Sequence, residues 1–150
     1  MKTKDIYQQP GHLIRRAHQI STAVFTDEAR AFDLTAVQFS ALVAVQDQPG
    51  IDATRLSDVI YFDRATIGNV LERLEKKGLI ERKAGVEDRR TKRVFLTPQG
   101  RQIIGQVARK VPQIGERILA PLAAKDRARF IELLVELTGA RDANRRTGKS

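Results

Sequence analysis

No cysteine occurs in the 150 residues, which excludes disulfides, thiolate zinc ligation and cysteine redox sensing in one step. The two histidines, His12 and His18, lack the spacing of a metal site, and neither a glycine-rich phosphate loop nor a serine elbow of the hydrolase type is present. The residues therefore offer no enzyme chemistry, no cofactor site and no metal site. No window approaches the roughly 18 apolar residues of a membrane span, and Met1–Pro10 has no apolar signal core. These absences leave the expectation of a cytoplasmic protein with no membrane partner.

What the chain has in excess is positive charge. Lysine and arginine number 27 against 18 acidic residues, giving a formal charge of +9 and a pI near 10.4. Such a surface attracts polyanions, of which nucleic acid is the commonest for a soluble protein, although a merely solvated basic face would have the same composition. The apolar share of 41% and the charged share of 30% are those of an ordinary folded domain. At this length the chain suffices for one domain, or for a small reading head plus helices that complete a core with a second copy.

Leu13, Ala17, Ile20 and Val24 recur at helical spacing after Pro10-Gly11 and predict a first helix over about 11–31. Thr35 caps a second helix through Val37, Ala41 and Val45, closed by Pro49-Gly50, and Ile51 begins a short strand. Between Asp52 and Val59 there is room only for a two-turn helix. Asp63 then caps a helix in which Ile67, Val70, Leu71 and Leu74 complete the i, i+3, i+4, i+7 pattern before Gly78 stops it. Leu79–Arg82 and Arg93–Leu96 read as the strands of a hairpin with a long polar tip. A further helix starts at Pro98 and runs toward Leu119, with a kink or break expected near Val111 because Pro112 lies within it. A last helix over about 122–138 carries Phe130, Leu133, Leu134 and Leu137, and the basic segment 141–150 is expected to be a disordered tail.

Helix, short helix, tight turn, amphipathic helix and basic hairpin follow one another in the order of a winged helix-turn-helix, whose second paired helix enters the major groove. On a helical wheel Thr66, Asn69, Arg73 and Lys76 gather away from the apolar face. Asn69 can read adenine, Arg73 can clamp guanine or phosphate, and Thr66 can touch a thymine methyl or bond a phosphate. The hairpin carries Arg82, Lys83, Arg89, Arg90, Lys92 and Arg93 against only Glu87 and Asp88. An arginine-bearing tip can enter the minor groove, where negative potential is strongest, and Asp88 can hold the Arg90 guanidinium in its inserted rotamer or serve as a turn residue.

The run Asp88-Arg89-Arg90-Thr91-Lys92-Arg93-Val94-Phe95-Leu96-Thr97-Pro98-Gln99-Gly100 resembles the wing signature of MarR-type regulators, Asp-x-Arg-x-x-x-Val-x-Leu-Thr-x-x-Gly, at each fixed position. Leu34-Thr35-x-x-Gln38-Phe39, Asp63-Arg64-Ala65-Thr66 and Leu71-x-x-Leu74-x-x-x-Gly78-Leu79-Ile80 fall where that family has its second helix, recognition helix and entry to the wing. The chain departs from it at Val86-Glu87, where many members carry proline. The resemblance implies a mainly α single domain over 1–140 with a β-hairpin wing: a winged helix-turn-helix over about 35–97, and dimerisation helices over about 11–31 and 98–138. It also implies a homodimer on a pseudo-palindromic double-stranded operator; with the wheel and hairpin readings, Arg64, Thr66, Asn69, Arg73, Lys76, Asp88, Arg89, Arg90 and Lys92 are the expected DNA-binding residues. Apolar stripes around Leu13–Val24, Ile103–Leu119 and Phe130–Leu137 exceed what a head of this size can cover, which agrees independently with a dimer. Twofold symmetry would set the two reading helices about 34 Å apart, one turn of duplex.

Members of this family commonly respond to small aromatic anions, and Leu13-Ile14-Arg15-Arg16-Ala17-His18-Gln19 resembles the first helix of members that control aromatic-acid breakdown. What this implies is an aromatic carboxylate, or its coenzyme A thioester, as effector, with His12 and Arg16 as candidate ligands four residues apart. Exposed helix charges are also commonly just solvated. The competing functions are a nucleoid protein that binds DNA without sequence preference or ligand, and a winged domain used for protein contacts.

Overall fold

The computed structural model describes residues 2–140; the basic segment 141–150 lies outside the described residues. The chain divides into two compact units, Met1–Ile114 and Gly115–Ser150.

The first unit opens with a one-turn helix α1 (Thr3–Ile6), which the polar sequence gave no reason to expect; the Asp5 carboxylate ties it by accepting the Lys2 backbone N–H at 2.7 Å. Helix α2 (Pro10–Glu28) begins at its proline, which supplies the fixed φ that suits a first turn. It stops three residues short of the expected end at Ala31. A single 3-10 turn (Arg30–Phe32) and Asp33, in the left-handed region at φ 49°, redirect the chain there. Asp33 is held in that conformation from far along the sequence: Lys77 Nζ lies 2.9 Å from its carboxylate and also donates to its backbone carbonyl.

Helix α3 (Ala36–Asp47) starts with a reciprocal cap, in which the Thr35 hydroxyl accepts the Gln38 N–H and the Gln38 amide oxygen accepts the Thr35 N–H. Gly50, at φ 84°, then turns the chain into the two-residue strand β1 (Ile51–Asp52). Asp52 caps the two-turn helix α4 (Ala53–Ile60), α5 runs Arg64–Lys76, and Gly78, at φ 68°, ends it as expected.

The hairpin strands are longer toward the tip than their apolar residues suggested. Strand β2 (Ile80–Ala84) pairs antiparallel with β3 (Lys92–Leu96) from Ile80 opposite Leu96 to Ala84 opposite Lys92, and β1 pairs with the other edge of β3. The core lies where this sheet meets α3, α4, α5 and α6: Leu42, Val45, Leu56, Ile67, Leu71, Leu74, Val94 and Val107 are the largest fully buried side chains. Helix α6 (Pro98–Ala108) is capped by the Thr97 hydroxyl, and the expected break falls at Arg109-Lys110, before α7 (Val111–Leu119). Pro112 therefore occupies the first turn of a new helix, where its missing N–H costs nothing, and does not kink a continuous one.

In α2 only Phe25 is buried, while Leu13, Ile14 and Ile20 are exposed. The second unit contains the end of α7 and α8 (Ala124–Thr138), which Gly139 stops in the left-handed region. No α8 residue is buried: Ile131, Leu133, Leu134 and Leu137 all face outward. Among the described residues no helix is long and apolar enough to cross a membrane.

Candidate nucleic-acid interface

Helix α5 owes its start to Asp63. One oxygen of its carboxylate accepts the Thr66 N–H at 2.8 Å and the other accepts the Thr66 hydroxyl, and these two bonds, the hydroxyl's first, hold the Asp63 carboxyl below the usual carboxylate range. Ile67, Val70, Leu71 and Leu74 are buried beneath the helix, while Arg64, Ala65, Gly68, Asn69, Glu72, Arg73 and Lys76 are exposed. Glu72 and Lys76 pair at 2.7 Å along that surface, which lowers the Glu72 pKa.

The wing is fastened to α5 by Arg82 of β2, whose guanidinium donates through both Nε and one Nη to the same Glu75 carboxylate oxygen. These hydrogen bonds lower the Glu75 pKa and raise that of Arg82. At the tip the Gly85 N–H donates to the Thr91 carbonyl (2.8 Å) and the Thr91 N–H to the Asp88 carbonyl (3.1 Å). A Cβ at Gly85 would stand 2.7 Å from the Asp88 carbonyl oxygen, so glycine is required there by close approach alone. Of the two roles open to Asp88, partner of the Arg90 guanidinium or turn residue, the second is the one that forms. Asp88 Oδ1 accepts the backbone N–H of Arg90 at 2.9 Å, so the carboxylate shapes the turn and leaves the Arg90 guanidinium to a ligand.

Two clefts flank α5. Between its first turn and the wing, Arg64, Arg82, Arg90 and Lys92 line a cleft of about 380 Å³ with Thr54 and Asp52. With Arg82 committed to Glu75 and Asp52 to the α4 cap, Arg64, Arg90 and Lys92 are the cations that converge on this opening. Such a concentration of guanidinium and ammonium groups beside an exposed helix face is suited to the phosphates of a duplex. On the other side, Arg73 and Lys77 line a cleft of about 400 Å³ with Thr26, Arg30, Asp33, Leu34, Thr35 and Gln38.

Of the expected recognition residues, Asn69, Arg73 and Lys76 are exposed on α5, while Thr66 is half-buried with its hydroxyl donated to Asp63, and Arg73 also lines the cleft toward the end of α2. Asn69 and Lys76 remain outward, Arg64 joins Arg90 and Lys92, and Arg89 is exposed on the tip. Arg93 turns back to the Gly50 carbonyl, and Lys83 lies 5.3 Å over the Phe95 ring. Sequence reasoning missed Thr54 in the wing cleft and Arg30 and Lys77 in the other. The i, i+4 spacing of Arg73 and Lys77 was a usable signal, whereas the position of Arg30 depends on the unforeseen 3-10 turn. In α2, His12 lies 3.4 Å from Arg15, and Tyr7 packs against it at 5.6 Å, while Arg16 reaches Gln19 at 3.5 Å.

Comparison with known proteins bears on what this arrangement is. Residues 34–92, from the α3 cap to the first residue of β3, match the MarR family. The transcriptional repressor NicR of Pseudomonas putida is 33% identical over 87% of this chain and 82% of its own. The chain belongs to the MarR family. HosA, a transcriptional regulator of Escherichia coli O157:H7, is a further relative at 30% identity over 82% of this chain and 90% of its own. Among solved structures, a probable transcriptional regulator from Pseudomonas aeruginosa superimposes with a TM-score of 0.82 at 32% identity, covering 88% of this chain and 98% of that one. Bordetella bronchiseptica BpsR, solved in a study of how 6-hydroxynicotinic acid regulates its DNA binding, gives 0.79 at 32% identity over 87% and 94%. A MarR mutant from E. coli complexed with operator DNA gives 0.81 at 25% identity over 91% and 99%. The chain is thus a winged-helix transcriptional regulator, mostly helical with a small antiparallel wing.

Proposed function

We propose that this MarR-family regulator is a cytoplasmic repressor that binds a pseudo-palindromic double-stranded operator as a homodimer and is released by a small aromatic carboxylate or its coenzyme A thioester. The observation that carries the DNA reading is the convergence of Arg64, Arg90 and Lys92 beside the exposed Asn69 face of α5. The phosphates are held by those cations and by Arg89 and Lys76, while Asn69 reads a base edge. Asp88 acts through the turn it builds. The exposed apolar residues of α2 and α8 support pairing with a second copy, since burying them in a partner removes from water a surface that a monomer would leave wet.

Competition separates this reading from a nucleoid role. A regulator prefers its own site by roughly 10³-fold or more over unrelated DNA, and Asn69→Ala should cost about 1–3 kcal/mol at one base position with little loss elsewhere. Equal competition by unrelated duplexes would favour the nonspecific protein instead, and a salt slope near zero would favour protein contacts.

The effector reading draws on the BpsR study, whose ligand is 6-hydroxynicotinic acid, and on the PcaV regulator of Streptomyces coelicolor, solved with its natural ligand. His12 and Arg16 lie one turn apart on α2, with the Tyr7 ring beside the imidazole, a combination of cation, hydrogen-bond donor and aromatic face that suits an aromatic acid. A ligand releases DNA only by preferring the form that fits DNA poorly, so operator must weaken ligand binding by the same factor. Calorimetric titration with aromatic acids such as 6-hydroxynicotinate, with and without DNA, measures this; equal affinities in both would end the effector reading.

A further inference from the structure

The exposed face of α5 contains a glycine that nothing among the described residues explains. Gly68 is the fifth of thirteen residues in the helix, and it is not among the glycines with positive φ, so its backbone does not need glycine. Apart from the helix's own nearby backbone and the two adjoining residues, a Cβ built at Gly68 meets no atom of the described residues within 4 Å, so none of them needs the space either. An interior helix glycine weakens a helix relative to alanine, because it loses more backbone freedom on folding. Gly105 in α6 and Gly115 in α7 share that open space; Gly68 differs from them in standing on the exposed side of α5 beside Asn69. Arg64 and Glu72 lie one turn either side of Gly68, and Asn69 follows it; all three are exposed.

We propose that Gly68 is the point at which the α5 backbone touches the duplex, and that the missing side chain sets how deeply the helix enters the groove. Depth fixes reach. Asn69, a short side chain, can bring its amide to a base edge only if the helix axis lies close to the groove floor, and a methyl group at Gly68 would hold the axis away. Arg64 and Arg90 have longer side chains and would follow the phosphates to the new distance. A substituent at Gly68 should thus cost base reading more than phosphate contact. The inference rests on the DNA-binding reading and adds to it the residue that determines fit.

The test uses the full-length protein and the duplex best retained by the wild type from a random pool. Gly68→Ala should raise the thermal midpoint of the free protein, since alanine is the better helix former, while lowering affinity for that duplex by about tenfold and for unrelated DNA by much less. Gly68→Leu separates bulk from stiffness, because leucine and alanine have similar helix propensities. Bulk predicts a further loss for leucine, on the order of another tenfold, whereas equal losses for the two would assign the glycine to helix flexibility and overturn the proposal. Unchanged affinity in Gly68→Ala would overturn it, as would a lowered midpoint, which would mean that the methyl collides within the chain. If the wild type retains no preferred duplex at all, it is the DNA reading that has failed.

Discussion

Arg90→Ala should weaken operator binding by roughly ten- to a hundredfold while leaving the dimer and its melting temperature unchanged. The expectation follows from how the tip is built. Gly85, Asp88 and Thr91 close the turn through backbone groups and one carboxylate oxygen, so the Arg90 side chain contributes nothing to the turn's own bonds. Its guanidinium instead joins Arg64 and Lys92 at the mouth of the wing cleft. Loss of one phosphate-neutralising cation should also reduce the slope of log affinity against log salt by about 0.9, which a generally misfolded wing would not produce as a single unit. Fluorescence anisotropy at several salt concentrations measures both quantities. Unchanged affinity and slope would remove the wing from DNA recognition.

Leu74→Ala should destabilise the protein by about 2–5 kcal/mol, through the lost transfer energy of the side chain and the cavity left behind. Leu74 is fully buried on the core face of α5, and its carbonyl accepts the Leu79 N–H where the chain leaves the helix for the wing. A domain of this size has a total stability of about 5–15 kcal/mol, so the loss is a large fraction of the whole. Urea denaturation should show a lower midpoint. DNA affinity, measured where the variant is still folded, should change far less than in Arg90→Ala, because the outward residues of α5 keep their spacing. A loss under about 1 kcal/mol would contradict the packing described for α5.

The features legible from sequence were those whose causes are local. Asp63 caps the helix that follows it, Thr35 and Gln38 cap each other, Gly78 supplies the left-handed stop, and Val94 and Leu96 alternate inward along a strand. The features that were not legible depend on residues distant in the chain. The end of α2 was placed too late because the left-handed Asp33 is secured by Lys77, 44 residues away. A helical wheel separates polar from apolar positions but does not say which of them lie near another element: Arg73, on the polar side of α5, also lines a cleft with Thr26 and Arg30. Of the two roles open to Asp88, the turn is the one formed, because the backbone N–H two residues on is a near competitor for its oxygen. Gly68 was passed over because a glycine within an otherwise complete periodic pattern gives no signal until the space around it is known.

The central claim is that two copies of this chain present two wings and two α5 helices to successive grooves of one duplex. Selection of bound sequences from random DNA tests it most directly. The expected outcome is an enriched motif with twofold symmetry whose half-sites are centred about one helical turn, roughly 10 base pairs, apart. Enrichment of an unrepeated, asymmetric motif, or of none, would contradict it.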